Sequence, residues 1–311
     1  MKLHHFRDVV AIAEQGSIRA AARRLRLAQP ALTRSLGELE RELGVPLFER
    51  RARGMAPTPT GLAFVQRAQA VLNEVRRARD DVDQLKEGAG GRLVVGLSIA
   101  AHLALLPNAL HPFTARYPGV KLHVIEGFYP TLEAGLRNGT VDFYVGPSPE
   151  GVLPAEFASE ELFRNTRIIL CRRSHPLIAS RSLSDLADTG WATTSITMKS
   201  EEEFRDLFQS YGLPTPRIVL QSQSALTLMV SIAATDLLAM VPQQWMSFAP
   251  ATNALASIPI RETLPAPTIV LIQRAGVPLT PAATYFSELM RKFAVGIGRT
   301  PVAARQRARR P

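Results

Sequence analysis

Gln29, Thr33 and Arg34 fall on one face of a predicted helix that has Pro30 in its first turn. Residues three and four apart share a helix side. A guanidinium can donate two hydrogen bonds to a guanine edge, and a carboxamide can bond an adenine in the same bidentate way. Two further basic groups, Arg23-Arg24-Arg26 and Arg50-Arg51-Arg53, have the density needed to neutralise phosphates. Catalytic chemistry finds less support. There is one cysteine, Cys171, and the six histidines are scattered with no helix-face pair beside a carboxylate. The sequence holds no nucleophile elbow, no phosphate-binding loop and no glycine fingerprint after a strand.

The elements that must carry these residues can be read from punctuation and period. Phe6, Val9, Val10 and Ala13 make one helical face, and Gly16 stops that helix. Ser17 is placed to cap a second helix with Ile18, Ala21, Ala22 and Leu25 inward. After a short turn, Pro30 suits the first turn of a third helix, whose apolar face is Leu32, Leu36, Leu39 and Leu43 and whose end is Gly44. Two short helices before a third with polar donors at its N-terminal end describe a helix-turn-helix. A plain helical bundle with a solvated face is the bland alternative. Against it stand the basic clusters and two short strands, Val45–Arg50 and Met55–Thr58, around a basic tip at Gly54, which make a wing. Thr60 is expected to cap a helix running to about Lys86. A rod of some 40 Å with a sustained apolar seam, Val65, Leu72, Val75 and Val82, needs a partner, most simply the same helix of a second copy. Gly88 to Gly91 then reads as a hinge.

The whole chain has 311 residues, 46% hydrophobic and 21% charged, which excludes a wholly disordered or collagen-like polymer and leaves room for two or three domains. Its net charge of +10 is uneven. The first ninety residues and the tail from Thr300 (Arg305, Arg307, Arg309, Arg310) hold nearly all of it, whereas residues 91–299 are close to neutral. A basic head and a neutral body fit a polyanion partner for the head alone. No apolar run approaches the length of a membrane span, and Arg7, Asp8 and Glu14 interrupt any signal-peptide core, so the chain reads as cytoplasmic. The tail reads as a basic disordered segment.

Five runs carry a resemblance: Ser17-Ile-Arg-Ala-Ala-Ala22, Leu27-Ala-Gln-Pro-Ala-Leu-Thr-Arg34, Leu39-Glu-Arg-Glu-Leu-Gly44, Leu47-Phe-Glu-Arg50 and Thr58-Pro-Thr-Gly61. In this order and without gaps they are similar to the N-terminal signature of LysR-type transcriptional regulators. Ala28 departs from it, standing where the family usually has serine. The resemblance implies that Gln29, Pro30, Thr33 and Arg34 meet promoter DNA in the major groove, with Arg50, Arg51 and Arg53 of the wing beside it. A phosphate contact is the other reading of Arg34. It also implies a homodimer assembling to a homotetramer, RNA polymerase as a partner, and no cofactor or metal.

Residues 91–299 alternate short apolar strands with helical stretches, which predicts parallel sheets with covered faces. The order resembles the family's effector-binding domain, a fold similar to periplasmic binding proteins. The expected organisation is α/β, with a winged helix-turn-helix over 1–59, a linker helix and hinge over 60–90, and an effector domain over 91–299. Its sublobe I spans about 91–163 and 267–299, and sublobe II about 164–266. Ligands in such folds sit beyond strand ends. The candidates to hold a small organic anion, aromatic or not, are Ser98, Ala100, Phe128, Tyr129, Thr194, Ser195, Gln221 and Pro242. Taken alone, this part would also suit a solute-binding protein or an α/β enzyme. The winged head argues against both.

Overall fold

Three helices, α1 (Leu3–Gln15), α2 (Ile18–Leu25) and α3 (Gln29–Leu43), form the head. In the computed structural model, which describes residues 1–52, 54–86, 90–194, 199–248 and 253–297, each boundary has a local cause. Gly16 takes φ +60° and closes α1; Ser17 Oγ accepts the Ala20 N–H; Gly44 takes φ +71° and closes α3. Ala28 precedes α3 without a side-chain cap, because a methyl group cannot accept a hydrogen bond. Val9, Ile12, Ala21, Leu32, Leu39 and Leu47 fill the core between the helices. The wing is an antiparallel pair, β1 (Phe48–Arg51) and β2 (Gly54–Pro57).

The long helix α4 (Pro59–Leu85) is capped by Thr58, whose Oγ1 accepts the Gly61 N–H at 3.0 Å, and not by Thr60 as expected. Proline at the first helical position fixes the start two residues earlier than the threonine count suggests.

Beyond it the chain builds two lobes. A five-stranded sheet gathers β3 (Arg92–Leu97), β4 (Lys121–Glu126), β5 (Phe143–Pro147), β6 (Phe157–Phe163) and β12 (Ile269–Arg274) in the order β4-β3-β5-β12-β6. Helices α5 (Ile99–Ala104), α6 (Leu106–Arg116) and α10 (Pro281–Ala294) cover one face around Phe113 and Phe286, and α7 (Tyr129–Asn138) covers the other. In the second lobe β7 (Arg167–Arg172) lies between β10 (Ala239–Pro242) and β11 (Leu255–Ile258). A separate pair, β8 (Gly190–Thr194) with β9 (Arg217–Ser222), joins β10 through a bridge from Trp191 to Leu238. Helices α8 (Lys199–Ser210) and α9 (Ala225–Ala234) pack on opposite sides.

The sheets are mixed, which corrects the expectation of purely parallel ones. β3, β4 and β5 run together, but β12 is antiparallel to β5 and β6, and β10 and β11 are both antiparallel to β7. β12 brings the chain back from the second lobe, so it enters the first sheet from the opposite end.

Candidate nucleic-acid interface and ligand cleft

Helix α3 presents Gln29, Pro30, Thr33 and Arg34 to solvent at its N-terminal end. Thr33 Oγ1 donates back to the Gln29 carbonyl at 3.0 Å, and Arg34 makes no ion pair among the described residues. The helix cannot roll, because its inner face is tied at two points. Asp8, only 2% exposed, accepts Ser35 Oγ at 2.6 Å and the Arg7 guanidinium at 2.9 Å. Glu40 Oε1 accepts the N–H groups of Leu47 and Phe48 at 2.7 and 3.2 Å, fixing the wing to α3. Neither tie was anticipated from sequence. Asp8 and Ser35 are far apart in the chain, and only a charged residue on an otherwise apolar helical face hints at the first.

The wing exposes Arg50 and Arg51; Arg51 is paired with Glu49 at 2.6 Å, which leaves Arg50 as the freer charge. Arg53 lies outside the described residues. Met55 N donates to the Gly16 carbonyl at 2.7 Å, and a Cβ on Gly54 would stand 2.3 Å from that oxygen. The wing is therefore pressed against the α1–α2 corner, where only glycine allows the approach.

Along α4 the expected seam divides. Val65 packs on the head's own core, so it docks the rod to the head. Val75 and Val82 lie on an open stripe with Val71, Ala78 and Leu85, and line a shallow groove with Arg79 and Asp83. Leu72 flanks the stripe, half-buried. The opposite face, Asn73, Arg77, Asp80 and Gln84, is polar and buried.

Between the lobes a cleft of about 160 Å³ is lined by Ile99, Glu126, Gly127, Phe128, Thr131, Thr194, Gln223 and Ala225. Of the residues expected from sequence, Phe128 and Thr194 line it. Ser98 does not: it is 1% exposed, its Oγ accepts the Ala101 N–H and its own N–H bonds the Val145 carbonyl. Capping α5 turns the hydroxyl inward. Ala100 belongs to the core of the first lobe, and Tyr129 to the core on the other side of that sheet, against Phe157, where burial pushes its hydroxyl up to about 12. Gln221 and Pro242 lie outside the lining, and Ser195 lies outside the described residues. Glu126, Thr131 and Gln223 complete the polar set. Among the described lining residues there is a carboxylate and no cation, which is a poor match to the expected anion.

Other candidates have structural partners. Cys171 is buried, with its thiol pushed up to about 11 by desolvation. His175 is 2% exposed; Nδ1 accepts the Leu177 N–H and Nε2 meets the Asp236 carbonyl. The His102 ring meets the Ser98 carbonyl at 3.2 Å. Among the described residues no group of three or more His, Cys, Asp or Glu could hold a metal, and no helix is long and apolar enough to cross a membrane.

Comparison with known proteins accounts for both parts. Residues 3–62 match the bacterial regulatory helix-turn-helix protein of the lysR family, and residues 86–294 match the LysR substrate binding domain. The HTH-type transcriptional regulator GbpR of Azospirillum brasilense is 30% identical over 239 residues, 76% of this chain and 70% of that protein. GalR of Pseudomonas putida, another HTH-type transcriptional regulator, is 28% identical over 284 residues, 91% and 72% of the two chains. Full-length CbnR solved with its target DNA superposes with a TM-score of 0.68 at 23% identity, over 94% of this chain and all of that one. The chain belongs to the LysR family of DNA-binding transcriptional regulators, a helix-turn-helix head joined to an effector-binding domain.

Proposed function

We propose that the regulator reads promoter duplex with Gln29, Thr33 and Arg34 in the major groove, Pro30 beside them in the first turn of the helix, and Arg50, Arg51 and Arg53 at the wing over phosphates. The observation that carries this is the exposed end of α3 above an inner face locked by Asp8 and Glu40. Preorganised donors lose little freedom on binding. In this reading residues 1–59 bind DNA and 60–90 join subunits. Residues 91–299 sense the effector, with sublobe I formed by about 91–163 and 267–299 and sublobe II by about 164–266. Two rods pair along Val71, Val75, Ala78, Val82 and Leu85, with Leu72 beside them, and two dimers make a homotetramer. The protein works in the cytoplasm with RNA polymerase as a partner, and leaves its effector chemically unchanged.

The effector sits between the lobes, on Phe128 and within reach of Thr131, Thr194, Gln223 and Glu126. An aromatic face beside hydroxyl, amide and carboxylate groups suits a small, hydroxyl-bearing molecule better than a bare carboxylate. Melting curves with a panel of sugars, polyols and aromatic acids test this. A true effector at a hundred times its Kd stabilises the fold by about 2.7 kcal/mol. Hydroxyl-bearing compounds are expected to raise the midpoint, and Glu126→Gln to weaken them. Carboxylates that bind more tightly, with no effect of Glu126→Gln, would overturn the assignment. Consumption of the effector by pure protein would overturn its non-enzymatic role.

A further inference from the structure

The buried face of α4 is polar where an amphipathic helix would be apolar. Arg77 is 3% exposed, with Nη2 2.8 Å from Oδ1 of Asp142, itself 4% exposed. Asp142 Oδ2 also accepts the Val94 N–H at 2.7 Å, so the pair is bolted to the middle of the first lobe's sheet. On either side Asn73 Nδ2 donates to the Asn138 carbonyl at 2.7 Å, and Gln84 Oε1 accepts the Ala282 N–H at 2.9 Å. Glu74 pairs with Arg274 at 3.0 Å.

Arg77 Nε and Nη2 make no aligned hydrogen bond among the described residues, although Nη2 is within ion-pair distance of Asp142. Of thirteen buried side-chain polar atoms without a hydrogen-bond partner among the described residues, five belong to this interface: Arg76 Nε, Arg77 Nε and Nη2, Gln84 Nε2 and Arg274 Nε. Two desolvated charges hold the surfaces only in the geometry that pairs them, because either one left unpaired in the interior is costly. What the pair supplies is a discrete register, and a face that can separate without exposing hydrocarbon. Strand β3 carries Val94 at this clamp and leads into Ile99 at the ligand cleft, so a shift of the cleft wall reaches the pair through a few residues of one rigid strand.

We propose that Arg77 is a positioning residue: paired with Asp142, it sets the angle of the long helix, and with it the DNA-reading head, on the first lobe, and the pair opens and closes as the lobes move. This rests on the regulator reading above. Both sites bias one two-state contact, which is what coupling requires.

The test is the double variant Arg77→Met with Asp142→Asn in the full-length protein. It removes both charges, fills the space of the guanidinium stem and keeps an amide oxygen for the Val94 N–H. Hydrogen exchange is followed over residues 74–84 and 93–97, together with the bend angle of a duplex selected by the wild-type protein from random-sequence DNA. The helix amides are expected to exchange about tenfold faster or more, the strand amides as in wild type, and the duplex to be bound within about threefold but bent differently. Wild-type helix exchange overturns the proposal, as does faster helix exchange with an unchanged bend. Equal loosening of helix and strand also overturns it, because that marks a role in stability alone. If the double variant does not fold, Arg77→Lys keeps the charge but loses the planar fork; faster helix exchange and an altered bend support the proposal there, and wild-type values overturn it. A wild-type protein that selects no duplex refutes the regulator reading instead, while the exchange result still reports on the clamp.

Discussion

Gly61 opens the long helix one turn after the wing, and replacing it with alanine is a severe test of how head and rod are joined. A Cβ at this position would lie 1.9 Å from the Leu47 carbonyl oxygen and 2.8 Å from its carbon. Neither side can yield cheaply. The Leu47 oxygen already accepts the Thr58 N–H at 2.9 Å, and the Leu47 N–H is held by Glu40. Relief requires the first turn of α4 to move back by more than an ångström, pulling Gly61 N–H off its Thr58 cap. Overpacking costs about 1–3 kcal/mol, here near the top of that range because both parties are backbone. A lost cap adds about 1 kcal/mol, and alanine's better helix propensity returns about the same. The net loss is about 2–3 kcal/mol. A head of some sixty residues moves by about 4–8 °C per kcal/mol, so its midpoint should fall by about 10–20 °C. Both tryptophans, Trp191 and Trp245, lie in the second lobe, so their fluorescence reports on that lobe while circular dichroism includes the head. The expected result is an early helical transition with unchanged tryptophan melting. A Gly61→Ala protein whose head melts as in wild type would refute the packing argument.

Three other perturbations follow from the same geometry. Val75→Glu or Val82→Glu would desolvate a carboxylate in the paired seam without a partner, so sedimentation should show a dissociated protein, whereas Val65→Ala should chiefly destabilise the head. Cys171 should not react with a thiol reagent at pH 7.5 in the native state and should titrate as one thiol after denaturation, since it is buried and its pKa is pushed up to about 11. His5 is held neutral, its pKa lowered from 6.5 chiefly by burial, so the unfolded chain binds the proton more readily. The head should therefore lose stability as pH falls through the window below 6.5, and His5→Gln should flatten that slope in melts at stepped pH.

The parts legible in the sequence are those where one residue type has one backbone use. Gly16, Ser17, Pro30 and Gly44 mark helix ends wherever they fall, and the apolar period of α3 leaves Gln29, Thr33 and Arg34 outside. The wing was legible from Gly54 between two short apolar runs. Tertiary choices were not. The segment Phe157–Phe163 buries only its two phenylalanines, so it shows no strand alternation. The pattern at Asn73, Arg77, Asp80 and Gln84 reads as a solvated face, because charge ordinarily marks exposure and a buried pair needs a partner from elsewhere in the chain. Ser98 sits at a strand end, where ligands often bind, yet the helix it caps draws its hydroxyl inward. Thr131 reaches the cleft from helix α7, and its meeting with the loop before α9 depends on how the lobes close on each other.

The central claim is that α3 reads sequence, and equilibrium binding of a labelled duplex measures it most directly. The duplex selected by the wild-type protein and a scrambled duplex of the same length are titrated between about 50 and 200 mM salt, where neutralised phosphates give a steep, linear loss of log affinity. Gln29→Ala and Arg34→Ala should each lose about 1–3 kcal/mol on the selected duplex and much less on the scrambled one. Equal losses on both would make these side chains phosphate contacts, and a wild-type protein that binds the two duplexes alike would contradict the account.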